Sequence, residues 1–244
     1  MSADKKILPR HIAIIMDGNN RWSKQNNNSQ LSGHRKGALQ ARSITNYCVD
    51  LEIEYLTLFV FSSENWLRPK KEVSSLMALF LSVLQRREIN KLHERNIRIN
   101  FIGERSRFPQ KLRNQMQITE DLTKKNTGLT INVAANYGGR WDIANATKEI
   151  ALKVKRGSLE IEEINQELLQ KHVSLGDIAE PDLCIRTGGE KRISNFLLWQ
   201  FAYTELYFTE TFWPDFSEKE FDLALDDYAK RQRRFGMVSE QVES

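Results

Sequence analysis

Asp17 closes an almost unbroken apolar run, HIAIIM from His11, and Gly18, Asn19, Asn20, Arg21 and Trp22 follow it directly. A carboxylate, a glycine, two amides and a cation in one string can hold an anion. Arg presents a fork that matches phosphate oxygens, and Gly lets backbone N–H groups come close. Asp-Gly and Asn-Asn are also ordinary turn residues, so one such string decides nothing. Three more follow apolar runs. SSENWLR carries Ser62, Asn65, Trp66 and Arg68; NYGGRWD carries Asn136, Arg140 and Asp142; RTGGEKRIS carries Arg186, Arg192 and Ser194. Neither G-x-G-x-x-G nor G-x-x-x-x-G-K-(S/T) occurs, so the common glycine-rich nucleotide loops are excluded. Asp17 and Glu205, the latter among aromatics in WQFAYTELYF, add hard oxygen donors of the kind Mg²⁺ takes beside substrate phosphates. The set predicts a site for a phosphate-rich substrate with Mg²⁺ and leaves the reaction open.

Such strings converge only if the elements before them are aligned. Short β-rich runs at Ile12–Met16, Tyr55–Ser62, Ile97–Gly103, Leu129–Asn136, Asp182–Gly188 and Glu205–Glu210 alternate with longer helical patterns. Those cover Arg35–Leu51, Val73–Arg95, Pro109–Lys125, Trp141–Lys155 and Ser217–Arg233. This alternation predicts an α/β fold: a single domain with a mostly parallel six-stranded sheet flanked by helices. In such sheets ligands bind beyond the carboxyl ends of the strands, where the four strings fall. No Pro/Gly/Ser-rich linker or internal repeat divides the chain. The expected organisation is a flexible N-terminus over 1–10, one domain over 11–236 and a flexible tail over 237–244, with Asn26–Gln30 a polar, mobile loop.

Composition narrows the class. Of 244 residues, 40% are hydrophobic and 28% charged, as in a soluble globular protein. The net charge of +4 suits an anionic ligand or membrane surface without calling for nucleic acid, and none is expected. Cys48 and Cys184 read as buried thiols of a reducing compartment. The four histidines are too scattered for a zinc site. No signal sequence is evident, and the longest apolar run, Leu76–Leu84, is far short of the roughly 20 residues that cross a bilayer. A cytoplasmic protein is expected, with peripheral contact at the inner face of the membrane left open.

Several long strings taken together, HIAIIMDGNNRW, GHRKGA, LTLFVFSSENWLRP, NVAANYGGRWDI, DLCIRTGGEKRISNFLLWQFAYTELYF and WPDF, resemble the cis-prenyltransferases, in order and spacing from about His11 to Gly236. The resemblance implies Mg²⁺-dependent homodimers that add isopentenyl diphosphate repeatedly to farnesyl diphosphate, each time forming a Z double bond. In bacterial members the product is undecaprenyl diphosphate, precursor of the lipid carrier for peptidoglycan. It also implies a hydrophobic tunnel between the sheet and two helices, with wall residues in SSLMALFLSVL and LTINV and Leu129 as its floor. Release of the long product at a membrane surface would then limit turnover.

Site roles follow from matching positions. Asp17 matches the aspartate that places Mg²⁺, and Glu205 the second acidic group near the metal. Gly18, Asn19, Asn20 and Arg21 match the loop that cradles the allylic diphosphate, with Trp22 and His34 lining the same pocket. Asn65 matches the amide beside the reacting groups; Ser62 and Arg68, with Trp66 between them, fall at further active-site positions. Arg186, Arg192 and Ser194 match the isopentenyl diphosphate site. Arg234 and Gly236 match an Arg-x-Gly contributed by the partner subunit. A substrate diphosphate, Asn65 through water, and Asp17 are the candidate bases. Two departures stand out: Gln30 where many relatives have Arg in the allylic site, and Lys191 where others have His. The first predicts weaker allylic affinity.

Overall fold

The computed structural model describes residues 7–231. Six strands, β1 (His11–Ile15), β2 (Tyr55–Ser62), β3 (Arg98–Ile102), β4 (Thr130–Tyr137), β5 (Leu183–Arg186) and β6 (Glu205–Phe208), form one sheet in the order β3-β4-β2-β1-β5-β6. Every pairing is parallel. Eight α-helices accompany them among the described residues: α1 (Asn19–Gln25), α2 (Gln30–Asp50), α3 (Lys70–Val83), α4 (Arg86–Glu94), α5 (Gln110–Thr123), α6 (Gly139–Lys155), α7 (Gln166–His172) and α8 (Glu218–Ala229).

The sheet is covered on both faces, which is why β1 and β5 are buried throughout. Side chains alternate between two cores, as the two-residue period of a strand requires. Ile12, Ile14, Leu56, Leu58 and Ile131 pack with Ile44 and Cys48 of α2, Met77 and Phe80 of α3, Leu112 and Met116 of α5, and Phe221 and Leu225 of α8. Ala13, Ile15, Ala134 and Cys184 point the other way, onto Tyr137, Phe196 and Leu197, with Trp141 of α6 alongside. On that second face a polar row crosses the sheet. His11 Nδ1 donates to the Ala179 carbonyl at 2.6 Å, and its Nε2 meets Thr57 Oγ1 at 2.7 Å. Asn132 donates to Thr57, and Asn100 to Asn132. A neutral imidazole satisfies every partner, and burial holds its pKa down at about 4.

The six strand runs match the expected ones to within about two residues, the usual uncertainty at an element's end. The helices differ more. The run over 73–95 is two helices, because Gln85 takes an extended conformation and restarts the chain as the cap of α4, which lets Leu84 and Ile89 both bury. The short α7, capped by Asn165 accepting from the Leu168 N–H at 2.9 Å, had no periodicity to announce it. The N-terminal segment is held before residue 11: Leu8 packs on the core, Pro9 is buried, and the Arg10 N–H donates to Asp182 at 2.8 Å. Residues 1–6 and the tail over 237–244 lie outside the described residues.

The strand order reverses between β1 and β5. The connection from β1 leads towards β2 and that from β5 towards β6. A crevice opens at the carboxyl ends of two such neighbours. The residues that come next in the chain are Asp17 on one side and Arg186 on the other.

Candidate active site

Gly18, at φ +105°, turns the chain from β1 into α1. A side chain there would strike the Phe212 ring, whose nearest atom lies 2.7 Å from the Cβ position. Asn19 to Trp22, expected as a loop, form the first turn of α1. That turn lies close against α2 because Gly33 and Gly37 carry no Cβ: one at Gly33 would sit 2.1 Å from the Asn19 carbonyl, and one at Gly37 2.2 Å from Asn19 Oδ1. Asn19 is therefore spent largely on packing, its Nδ2 donating to the Met16 carbonyl at 3.2 Å. Asn20 faces the crevice, where it meets His34 Nε2 at 2.9 Å and donates to Glu72 at 3.3 Å.

Arg21, Arg68 and Arg186, three of the arginines that line the crevice, are paired with carboxylates. Arg186 Nη2 donates to Asp17 Oδ2 at 2.9 Å, and Arg21 lies 3.2 Å from Oδ1, which also accepts from the Gly18 N–H at 2.6 Å. Arg68 donates to Glu72 at 3.1 Å, and Arg192 to Glu190 at 2.5 Å. Burial alone would push the Asp17 carboxyl up; the bond from Arg186, the charges of Arg21 and Arg186 and the Gly18 N–H outweigh it and hold the group below its ordinary range. Burial, with the charge of Arg68 acting in the same direction against Glu72, pushes His34 down to about 4, so the imidazole is neutral at pH 7.

Ser62 and Asn65 form a reciprocal cap on the 3₁₀ turn Ser63–Leu67, with the Ser62 N–H donating to Asn65 Oδ1 at 3.1 Å. Across the crevice, Ser194 accepts from Arg186 at 2.7 Å. Ser194, Asn195 and Leu197 all have positive φ, at 48°, 61° and 30°. For a leucine this is strained backbone, of the kind that persists where surrounding bonds over-determine it. Asn195 supplies those bonds: its carbonyl accepts from Gly139, its Oδ1 from the Arg140 N–H, and its Nδ2 donates to Glu64.

Behind this polar mouth a cavity of about 1230 Å³ runs between the sheet and helices α2, α3 and α4. Asp17 to Arg21, His34, Ser62, Asn65, Arg68, Arg186 and Ser194 line the mouth; Leu76, Phe80, Ile89, Leu92, Ile99 and Ile131 line the depth. Several expected site residues lie elsewhere. Trp22 donates to Asp215 at 2.8 Å, with Lys36 over its ring. Trp66 packs against Phe61 and Phe108, donates to Asn136 at 2.8 Å and carries Arg107 over its face. Neither indole lines the cavity, and Arg192 stands outside it. Leu129 is buried but not on the wall, which Ile131 and Val133 supply instead.

Glu205 stands apart from Asp17 within the chain. It begins β6, opposite Leu183 and Ile12, whereas Asp17 lies beyond the row Ile15–Arg186–Phe208 at the other end of the strands. Three rows of a strand span about 10 Å, so within one chain the two carboxylates do not share an ion. Glu205 instead accepts from Arg231 at 2.6 Å. Arg234 and Gly236 lie outside the described residues.

Sequence reasoning passed over Glu72 and Glu190, the resting partners of the arginines, and did not give a site role to Arg140, which lines the mouth. Arg140 and Glu190 were visible inside the quoted strings. Glu72 had no signal beyond its place after Arg68. The donor set fits Mg²⁺ in one particular way. No three His, Cys, Asp or Glu groups converge among the described residues, but one partly exposed carboxylate among arginines matches an ion that keeps waters and completes its shell with substrate phosphate oxygens.

Comparison with known proteins agrees with this geometry. Residues 15–236 match the family model described as "Putative undecaprenyl diphosphate synthase". The chain is 54% identical over 237 residues to a ditrans,polycis-undecaprenyl-diphosphate synthase, (2E,6E)-farnesyl-diphosphate specific, of Pseudomonas aeruginosa, covering 97% of this chain and 94% of that one. It is 52% identical over 227 residues to the enzyme of the same description from Escherichia coli K12, covering 93% and 89%. The lavandulyl diphosphate synthase of Lavandula x intermedia, solved with dimethylallyl diphosphate, superposes with a TM-score of 0.91 at 36% identity, over 95% of this chain and all of that one. A probable undecaprenyl diphosphate synthase of Campylobacter jejuni gives 0.78 at 34%, with the same coverage.

Proposed function

The chain belongs to the undecaprenyl diphosphate synthase family of cis-prenyltransferases, and from that premise we propose how its own residues run the family's reaction. The protein is a prenyltransferase that condenses isopentenyl diphosphate repeatedly with farnesyl diphosphate in the cis configuration, giving undecaprenyl diphosphate. The observation that carries the assignment of roles is the continuity of an arginine-lined mouth with a large apolar cavity. One end suits a diphosphate and the other a growing hydrocarbon.

In this reading the α1 turn, Asn20, Arg21, His34 and Arg68 hold the allylic diphosphate, while Arg186, Ser194 and Arg140 hold that of isopentenyl diphosphate. Asp17 is the carboxylate that would hold Mg²⁺. The bound ion supplies charge neutralisation on the departing diphosphate. Arg21 and Arg68 take up the rest of that developing charge, an electrostatic task that fixed donors perform best when they need not reorganise. The isopentenyl double bond attacks C1 of the allylic chain as the carbon–oxygen bond breaks and diphosphate departs, and a proton then passes from C2 to a base: a substrate diphosphate, water held by Asn65, or Asp17. Asn65, fixed by its bond to Ser62, orients the reacting groups. Neutral His34 keeps Asn20 turned towards the site.

The apolar depth then takes up the lengthening chain, each added C5 unit contributing up to about 4 kcal/mol of burial. A product bound this tightly leaves slowly. We place its release at the inner surface of the cytoplasmic membrane, reached by a peripheral homodimer. No helix among the described residues is long and apolar enough to cross a bilayer.

Incubation with farnesyl diphosphate, labelled isopentenyl diphosphate and Mg²⁺, with and without EDTA, tests the whole reading. The expected result is an EDTA-sensitive ladder ending at C55. A ladder ending earlier keeps the chemistry and shortens the functional cavity; no elongation removes the assignment.

A further inference from the structure

The mouth of the cavity is closed upon itself. Both oxygens of Asp17 are engaged, Oδ1 by the Gly18 N–H and Arg21, Oδ2 by Arg186. Arg186 is the deeper partner. Its side chain is 5% exposed, its other terminal nitrogen donates to Ser194 and to the Arg192 carbonyl, and Asp17 is the one carboxylate it pairs with among the described residues. A buried cation whose carboxylate is taken away is left uncompensated, a strongly unfavourable state. A divalent ion docking on Asp17 alone would have to displace two guanidiniums. It would also add positive charge to a mouth already lined by Arg21, Arg68, Arg140 and Arg186. A diphosphate removes both obstacles at once, because its oxygens accept from the arginines and leave the carboxylate free.

We infer that Arg186 and Arg21 form a guanidinium latch on Asp17, so that the site takes up a divalent cation only together with a diphosphate. The inference rests on the diphosphate reading above and adds an order to it. The latch keeps Asp17 oriented in the empty enzyme and withholds it from stray metal. Arg186 therefore positions the carboxylate before it meets substrate.

The test uses Mn²⁺ alone, titrated into the metal-free full-length protein, with unbound ion counted by electron paramagnetic resonance. The wild type is expected to take up little. Arg186→Gln and Arg21→Gln should each bind Mn²⁺ about tenfold more tightly, within the usual scale of coupling between sites. Arg68→Gln removes the same charge from the same mouth, but its guanidinium rests on Glu72 and not on Asp17, so its gain in Mn²⁺ binding should be several-fold smaller than that of Arg21→Gln. Adding inorganic pyrophosphate should raise Mn²⁺ uptake by the wild type, and Asp17→Asn should lose that gain. Arg21 is half-exposed, so its variant reads the latch even where Arg186→Gln does not fold. Wild-type protein that binds Mn²⁺ through Asp17 as tightly as Arg21→Gln overturns the latch. Equal gains in Arg68→Gln and Arg21→Gln also overturn it, by reducing the effect to net charge. Elongation of farnesyl diphosphate by the same wild-type preparation separates the two levels: elongation with tight free-enzyme Mn²⁺ binding removes the latch alone, and no elongation removes the reaction beneath it.

Discussion

At its mouth the cavity is lined by Asp17, Arg21, Arg68 and Arg186; at its depth by Leu92, Ile99 and Ile131. The mouth depends on single atoms. Each of these guanidiniums has a named carboxylate, and Ser194, in a left-handed conformation, accepts from Arg186. The depth depends on volume and apolar area, and no one of its side chains is chemically special. Damage at the mouth should therefore change rate without changing product, and damage in the depth should change product without changing chemistry.

Asp17→Ala is the strongest challenge to that contrast. The condensation rate is expected to fall about 10³-fold, on the scale of losing one electrostatic contact to a developing charge, and the melting temperature to fall as well, because the buried Arg186 guanidinium loses its paired carboxylate; the rate is therefore read well below the variant's melt. Steady-state elongation and a thermal melt check it, and near-normal turnover would end the assignment. In the depth, Ile131→Phe should shorten the terminal product while leaving the first addition at the wild-type rate. Overfilling a packed wall costs about 1–3 kcal/mol of stability, so product chromatography is to be paired with a denaturant midpoint.

The polar row beneath β1 gives a smaller and opposite kind of effect, on stability and not on rate. The folded pKa of His11, about 4, lies below its ordinary 6.5. Protons therefore favour the unfolded chain: the contribution is fully present above pH 6.5 and is lost as pH falls towards 4. It amounts to roughly 3 kcal/mol at full development. Urea midpoints between pH 7 and pH 4 should fall accordingly, and the slope should flatten in His11→Asn. Trp66→Phe should cost about 1–3 kcal/mol by leaving the Asn136 oxygen without its donor, with the KM for both substrates little changed. A large rise in either KM would return Trp66 to the list of substrate contacts. The smallest effect is expected from Gln30→Arg. Gln30 hydrogen-bonds Glu72, which also holds Arg68 and Asn20, so an added cation there should lower the farnesyl diphosphate KM modestly; an unchanged or higher KM would count against this.

The same contrast explains what could be read from the chain. The strands were legible because β1, β2, β4 and β5 are covered on both faces, and the convergence of Asp17, Arg21, Asn65, Arg68 and Arg186 on one cavity mouth was legible because each follows a strand end. Leu129 could not be told from a wall residue because a cavity wall and a packed core use the same side chains: it shares the face of Ile131 and Val133 and differs from them only in standing just before β4, off the lining. The bracing contacts of Trp22 with Asp215 and of Trp66 with Asn136 were not legible, because an indole in a site string looks the same whether it touches ligand or braces the loop. That Glu205 stands at the opposite end of the strands from Asp17 within one chain was not legible, because sequence position shows that a carboxylate is near a strand, not at which end of the sheet it lies.

The strand order has one more consequence. β1 emerges first in synthesis but stands at the centre of the finished sheet, between β2 and β5. Asp17 and Arg186, whose pairing joins the two sides of the crevice, are 169 residues apart. A nascent chain that has emerged through β4 carries β1 with one hydrogen-bonding edge still open, a surface that invites pairing with other chains. The reactive centre is thus assembled late, by a long-range closure of the kind that slows folding. Its arginines and its aspartate meet only once the sheet around them is nearly whole, so no partly made chain exposes a working site.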